Sequence, residues 1–518
     1  MLTNLALKIS WRSSSVVVAL LVFVPSMLAF GWIGFLASDD WSYLSGAQSW
    51  LNDFPFVARY HITFRLPVVL PIALSISVFG PGEFQTVLPT ILYFLGLLGL
   101  AFWSTRVYSG EIFPAVLVTG LLASTPLFAV WATIASVDIC ELFFVFLSLW
   151  LFYRASLEKQ PGLFLFLAGC SAGFAWLTRE TSVALLFLYA FLFLRGAYLE
   201  RQLYWVMAGG WFLIIGIEAF YYFEMTDDLL YRYRTVLTTH RSLEDVFAMT
   251  AGAGTGNITN NRIVGPFAAL LVNQEFGLLY YLVVPAVWMC CFSDTLDLEQ
   301  RRLPRLLFGL GVLWFFVVGY TLGLRALPRY FAVPTFVAVF LVSIWLRQIL
   351  RHRSRSTALL LGMALLSTNL IAIYVENRMP LFGERALVRY VADTDELVYT
   401  NPHTAALAKQ LLIWRGPGLV KRVRSEPPPP QSLYLYYGKG ASMGSIHGKS
   451  FESALYRVGE DWIEVWRAEA TKKFKGVLTQ AFGLDEWLPS GISTRLIEPN
   501  PPAIVYRTSS ATISLETN

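Results

Sequence analysis

Charge is what this sequence has least of. Only 14% of its 518 residues are Asp, Glu, Lys or Arg, where a soluble domain carries about 25%. Hydrophobic residues make up 56%, and the mean hydropathy is +0.54. A chain so poor in charge cannot cover a folded surface in water, which excludes a water-soluble enzyme. Cysteine is scarce too: Cys140, Cys170, Cys290 and Cys291 all lie inside apolar runs, so there is neither a disulfide framework outside the membrane nor a thiol cluster for a metal. The net charge of +5 is too small, and too scattered, for a nucleic-acid partner. There is no internal repeat and no inverted pair of interrupted helices.

Long apolar runs fill the chain instead. A hydrocarbon layer about 30 Å thick needs about 20 helical residues, and roughly eleven such runs lie between charged or Gly/Pro punctuation. They are Val16 to Leu36, Phe84 to Trp103, Ile112 to Trp131, Ile139 to Tyr153, Leu163 to Thr178, Ser182 to Leu194, Leu203 to Phe223, Leu271 to Phe292, Leu306 to Leu322, Tyr330 to Leu346 and Thr357 to Tyr374. The first is longer than the apolar part of a signal peptide and is expected to stay as an anchor. Basic residues set the orientation. With a cytoplasmic N-terminus, the inner side holds Lys8, Arg12, Arg106, Arg154, Lys159, Arg195, Arg201, Arg301, Arg302, Arg305, Arg347, Arg351, Arg353 and Arg355. An odd number of spans then sends the C-terminus outside. Composition changes at the same point: residues 377–518 are polar, with a proline run at Pro427 to Pro430 and strand-like stretches at Leu397 to Thr400, Leu433 to Tyr437 and Trp462 to Trp466. The expectation is a membrane all-α bundle over residues 1–376, with interfacial helices in its first outer loop, followed by a soluble extracytoplasmic α+β domain over 377–518.

Under this topology the ionisable groups gather at one rim of the bundle. Asp39 and Asp40 open the first outer loop. His61 and Arg65 follow at i, i+4 spacing; Asp138 and Glu141 stand at the start of the fourth span; Arg179 and Glu180 lie in the turn TRETS. His240 comes later, and Arg325 and Arg329 lie in LRALPRYFAVP, while Glu218 sits inside the outer half of the seventh span. Such groups are costly at a membrane and are usually paired or functional. Each has a bland reading. Asp39 could cap a helix, Asp138 with Glu141 could form a capping box, Arg179 with Glu180 could neutralise one turn, Arg325 and Arg329 could snorkel, and Glu218 could pair with an Arg. The functional reading joins acidic groups that deprotonate an acceptor hydroxyl to arginines that hold a lipid phosphate as it leaves.

The ordered motifs resemble the GT-C class of membrane glycosyltransferases that use polyprenyl-phosphate-linked sugars, particularly the branch of protein O-mannosyltransferases and the aminoarabinose transferase of lipid A. The residues that carry the resemblance are Asp39-Asp40-Trp-Ser-Tyr43-Leu-Ser-Gly-Ala47, His61-Ile-Thr-Phe-Arg65-Leu-Pro67, Ser136-Val-Asp138 with LTRETS after it, and Pro328-Arg329-Tyr330 with Pro334. They span residues 1 to about 375. Asp40 stands where the family usually has Glu, and TRETS differs from the aminoarabinose transferase turn. The resemblance implies transfer of a sugar to a hydroxyl of a glycan, lipid or protein on the extracytoplasmic side of the bacterial inner membrane, with inversion. Asp39 is then the general base, aided by Asp40 and Asp138. Arg65, Arg179, Arg325 and Arg329 become donor-phosphate ligands, and Tyr43, His61, Glu180, Glu218 and His240 substrate contacts. No cofactor is expected, since no ligand cluster has metal spacing; a divalent cation, which some relatives bind, is the weaker alternative.

Two other classes compete with an enzyme. A lipid or sugar transporter would place charges near mid-membrane and show broken repeats. A non-catalytic envelope-assembly subunit would use the acidic pair only as a cap. Two further motifs carry little. GSIHGKS at Gly444 to Ser450 has three residues between its glycines where a phosphate loop has four, and reads as a surface turn. Asn257-Ile-Thr259 is a chance-frequency sequon.

Overall fold

The computed structural model describes residues 11–238, 263–321, 327–352, 354–377, 379–437, 458–469 and 500–509, with short strand segments at 445–446, 449–450, 455–456 and 515–516. His240, Arg325 and the Asn257 sequon lie outside the described residues. The chain divides into two compact units. One takes Met1–Gly34, Asp39–Gly80 and Gln85–Glu376; the other takes Phe35–Ser38, Pro81–Phe84 and Asn377–Asn518.

The first unit is helical. Its elements are α1 (Trp11–Phe30), α2 (Asp39–Asn52), α3 (Leu66–Phe79), α4 (Glu83–Ser109), α5 (Ile112–Ser124), α6 (Pro126–Trp131), α7 (Val137–Ala155), α8 (Gly162–Thr178), α9 (Val183–Arg195), α10 (Arg201–Thr226), α11 (Gly265–Val272), α12 (Leu279–Val287), α13 (Arg302–Phe316), α14 (Ala332–His352) and α15 (Arg355–Glu376). Among the described residues, five helical stretches are long and apolar enough to cross a membrane alone: Glu83–Ser109, Arg201–Thr226, Arg302–Thr321, Pro328–Arg351 and Arg355–Glu376. Several of the expected spans are shorter apolar helices, such as Gly162–Thr178 and Ile112–Ser124.

Local chemistry explains the breaks. Pro126 has no N–H to continue α5, and the Thr125 hydroxyl donates to Leu121 O at 2.7 Å. The run expected as one span from Leu271 to Phe292 is two helices. The side chain of Asn273 accepts the N–H of Glu275 at 2.9 Å, and Gly277 takes a left-handed φ of +54°, so α11 stops and α12 starts afresh. Beyond α1 the non-helical backbone at Ile33 and Gly34 would leave bare N–H groups, which an apolar environment penalises. Thr133 takes both, Ile33 N through its hydroxyl at 3.1 Å and Gly34 N through its carbonyl at 3.0 Å.

α14 is buried along most of its length among α5, α12, α13 and α15, which fits AVPTFVAVFLVSIW, apolar on every face. α8 and α10 touch backbone to backbone. A Cβ on Gly169 would lie 1.9 Å from Met207 O, and one on Gly210 2.2 Å from Phe166 O. At one end of the bundle the expected basic loops come together. Glu111 accepts from Arg347 at 2.7 and 3.0 Å and from Arg351, and Tyr108 and Tyr198 donate to the carbonyls of Gln300 and Arg302.

The second unit is a mixed sheet backed by helices. Strands β1 (Val398–Thr400), β2 (Val423–Arg424), β3 (Leu433–Tyr436), β4 (Ile463–Ala468) and β5 (Ala503–Arg507) stand in the order β2-β1-β3-β5-β4, the β1 pairings parallel and the others antiparallel. Helices α16 (Phe382–Asp393) and α17 (Pro402–Arg415) share one core with it, made of Leu387, Val391, Leu412, Leu433, Leu435 and Val505. Asn401 caps α17 by accepting Thr404 N at 2.8 Å. The unit is not a plain C-terminal tail. Glu83 accepts Phe35 N at 2.7 Å and pairs with Arg385 on α16, so two short segments from far upstream are part of it. Of GSIHGKS, the described residues 445–446 and 449–450 pair as antiparallel strands, consistent with a turn.

Two outcomes follow from this packing. Gly169→Val forces α8 and α10 apart and costs about 1–3 kcal/mol, read as a lower melting temperature of the detergent-solubilised protein. Gly216→Val, which meets nothing within 4 Å, leaves that temperature unchanged. In the second unit, burial raises the carboxyl of Glu384 to about 7, against opposition from Arg385 and Thr404. A raised carboxyl pKa stabilises the fold below its unfolded value and the benefit is lost as pH rises through 7. Glu384→Gln therefore flattens the fall in melting temperature between about pH 4.5 and 7.

Candidate active site

The charged residues opposite the basic end form three linked groups, and one turn organises the first. α8 ends at Thr178, and the chain bends through a 3₁₀ turn, Glu180–Ser182, into α9. α7 begins at Val137 with Ser136 as its cap, so Asp138 already lies inside the helix and Glu141 one turn on. They do not form a capping box. Both face the turn: Arg179 Nη1 lies 2.6 Å from Asp138 Oδ1 and 3.8 Å from Glu141 Oε2, and the hydroxyls of Thr181 and Ser182 donate to Glu141. Arg179 also lies over the ring of Tyr330, 4.4 Å from its centroid.

Asp39, the first residue of α2, pairs with Arg329 at 3.0 Å. The Asp39 side chain is 38% exposed and that of Arg329 23%. The guanidinium of Arg329 is fixed between aromatic faces, 5.5 Å from the ring centroids of both Trp131 and Tyr330, and Trp131 donates its indole N–H to Glu275 at 3.2 Å. Burial alone would raise the carboxyl of Asp39, but Arg329, Arg65 and Arg179 outweigh it and hold the group below its ordinary value. Asp40 is buried and accepts the N–H of Trp41 at 3.1 Å.

Arg65 joins the turn His61–Phe64 to α3, so His61 and Arg65 do not share one helical face as their spacing suggested. Its guanidinium is buried and donates to the hydroxyl of Tyr43, a neutral phenol that burial pushes up to about 12. Among the described residues it makes no ion pair, whereas Arg179, Arg232 and Arg329 each meet a carboxylate. Arg65 Nε, Arg329 Nε and Asp138 Oδ2 are buried without a hydrogen-bond partner among the described residues. The ring of His61 packs on Tyr60, with centroids 4.5 Å apart.

The third group is centred on Arg232, in the helical stretch 231–238. It pairs with Glu218 at 2.6 Å and Glu180 at 3.2 Å and reaches the carbonyls of Trp176 and Leu177. Burial raises Glu180, yet Arg232 and Arg65 leave its carboxyl below the ordinary value. Arg179 and Glu180, adjacent in sequence, therefore pair apart rather than with each other. Sequence reasoning missed Arg232, Trp131 and Glu275. For Arg232 a signal existed, since a buried Glu218 demands a cation close by.

This geometry can be set beside known proteins. The model of the dolichyl-phosphate-mannose-protein mannosyltransferase family matches residues 67–221. No curated protein matches by sequence. Among solved structures, ArnT from Cupriavidus metallidurans bound to undecaprenyl phosphate superposes with a TM-score of 0.54 at 12% identity, over 83% of this chain and 94% of that one; its apo state gives 0.53 over the same shares. The apo oligosaccharyltransferase of Archaeoglobus fulgidus gives 0.50 at 13% identity, over 82% of this chain and 66% of that one. The chain is thus an integral membrane protein with the GT-C fold. Within that class, its stretch from Pro67 to Tyr221 is the part that the mannosyltransferase model recognises.

The Arg232 group gives a direct check. Arg232→Met strands two carboxylates and destabilises the solubilised protein by about 3–5 kcal/mol, whereas adding Glu218→Leu restores most of the loss. Thermal unfolding of the two variants reads the difference.

Proposed function

We propose that the protein transfers a sugar from a polyprenyl-phosphate-linked donor to an acceptor hydroxyl of a glycan, lipid or protein, with inversion, at the extracytoplasmic face of a bacterial inner membrane. The observation that carries this reading is the contrast between Arg65, a buried guanidinium that meets no carboxylate among the described residues, and the half-exposed carboxylate of Asp39 whose field reaches it. A phosphate is the natural partner for such a cation because guanidinium binds oxygens in pairs.

Asp39 takes the proton of the acceptor hydroxyl. The oxygen's electron pair forms the new bond at the anomeric carbon as the bond from that carbon to the phosphate oxygen breaks, and polyprenyl phosphate leaves with the electrons. Held by Arg329, Asp39 is a weak base. A donor phosphate competing for Arg329 would free it, so base strength rises only when donor is bound. Asp138, fixed by Arg179, offers its open oxygen to a hydroxyl of the sugar or the acceptor. Arginines supply the positive charge in this scheme, and the reaction proceeds without a metal.

The reading favours an enzyme over a transporter because the unpartnered atoms of Arg65, Arg329 and Asp138 lie together at one end of the bundle. The experiment is an assay of the purified protein against a panel of polyprenyl-phosphate sugars. Asp39→Asn lowers transfer by roughly 10³-fold or more with the melting temperature kept, Arg65→Ala raises donor KM, and EDTA changes nothing. Transfer undiminished in Asp39→Asn would remove the base, and no transfer from any lipid-linked donor would remove the function.

A further inference from the structure

Toward the opposite end of α10 from Glu218, α8, α9 and α10 line an open groove of about 300 Å³. Its walls are Ala172, Tyr189, Phe193, Tyr204, Met207 and Trp211, and almost nothing polar faces it. Packing explains why it stays open. Gly169 and Gly210 draw α8 and α10 into backbone contact, while α9, only 13 residues long, packs chiefly on α13. The two tyrosines that could collapse into the gap are tied back, Tyr189 to the Ser148 hydroxyl at 2.8 Å and Tyr204 to the carbonyl of Ala197 at 2.6 Å. Their hydroxyls are satisfied, so the groove offers carbon only. Such a surface favours an apolar occupant.

Its rim is basic. Arg201 donates to the carbonyls of Phe193 at 3.2 Å and Leu194 at 2.9 Å, which puts its guanidinium beside a wall residue. Arg195 lies over the Phe191 ring, 5.1 Å from its centroid, and Tyr198 donates to Arg302 O, bringing a third exposed arginine to the same turn. Glu200 is the single carboxylate in the turn between α9 and α10. Trp205, 68% exposed, stands among the wall residues as an interfacial ring does.

We propose that this groove binds one acyl chain of an anionic phospholipid whose headgroup phosphate rests on Arg195 and Arg201. Depth separates this ligand from a polyprenyl-phosphate donor. Tyr204 and Glu218 are fourteen residues apart on α10, or about 21 Å of helix, so a phosphate at Arg201 is in the opposite half of the bundle from one at Arg65. The site is independent of the catalytic reading.

Native mass spectrometry of the full-length protein, titrated with palmitoyl-oleoyl phosphatidylglycerol or with phosphatidylcholine of the same chains, tests it. The wild type retains one phosphatidylglycerol in preference to phosphatidylcholine. Ala190→Trp, at an exposed wall position, lowers retention of both about tenfold. Arg195→Gln with Arg201→Gln abolishes the headgroup preference and keeps a chain bound, which decides the matter even if Ala190→Trp does not fold. Equal retention of the two lipids by the wild type, unchanged retention in folded Ala190→Trp, or complete displacement of phosphatidylglycerol by undecaprenyl phosphate overturns the proposal.

Discussion

The cost of holding guanidinium groups out of water governs this structure. Arg65, Arg179 and Arg232 are buried at one end of an apolar bundle, with Arg329 close to it. Each needs compensation, because a charge left bare there would lower the stability of the whole fold. Asp138 with Glu141, and Glu218 with Glu180, supply it for Arg179 and Arg232. The pairings also fix distances between helices that are otherwise joined mostly by apolar contact, which specifies little about rotation or depth. A carboxylate on α7 that must meet a guanidinium in the α8–α9 turn sets both.

Aromatic rings carry part of the same load. Tyr330 lies beneath two guanidinium groups, those of Arg179 and Arg329, and Trp131 beneath the second. A ring face attracts a cation without neutralising it, so Arg329 remains available to an anion while held in place. Tyr43 does the equivalent for Arg65 with a hydroxyl. The arrangement keeps cationic groups oriented and incompletely satisfied, a combination that suits recognition of a ligand anion better than it suits mere cohesion.

Much of this was legible in the residues. Apolar run length and basic loops located the helices and the two ends, and the strand-like stretches at Leu433 to Tyr437 and Trp462 to Trp466 became β3 and β4. Asp39, Asp138, Arg179 and Arg329 could be named because carboxylates and guanidinium groups stand out in a sequence this apolar. What could not be read was partnership. Adjacent Arg179 and Glu180 turn to different helices because a 3₁₀ turn, rather than a hairpin, follows α8. The split between α11 and α12 depends on one Asn side chain, which hydropathy does not register, and Glu83, a residue in the first turn of an apolar helix, belongs to the other unit through Arg385.

That last feature bears on how the protein is made. The sheet unit joins Phe35–Ser38 and Pro81–Phe84 to Asn377–Asn518, so segments separated by most of the helical bundle meet in one fold. Glu83 therefore waits, while α5 to α15 are made, for Arg385 on α16 to arrive. A fragment beginning at Asn377 would be missing pieces of its own structure.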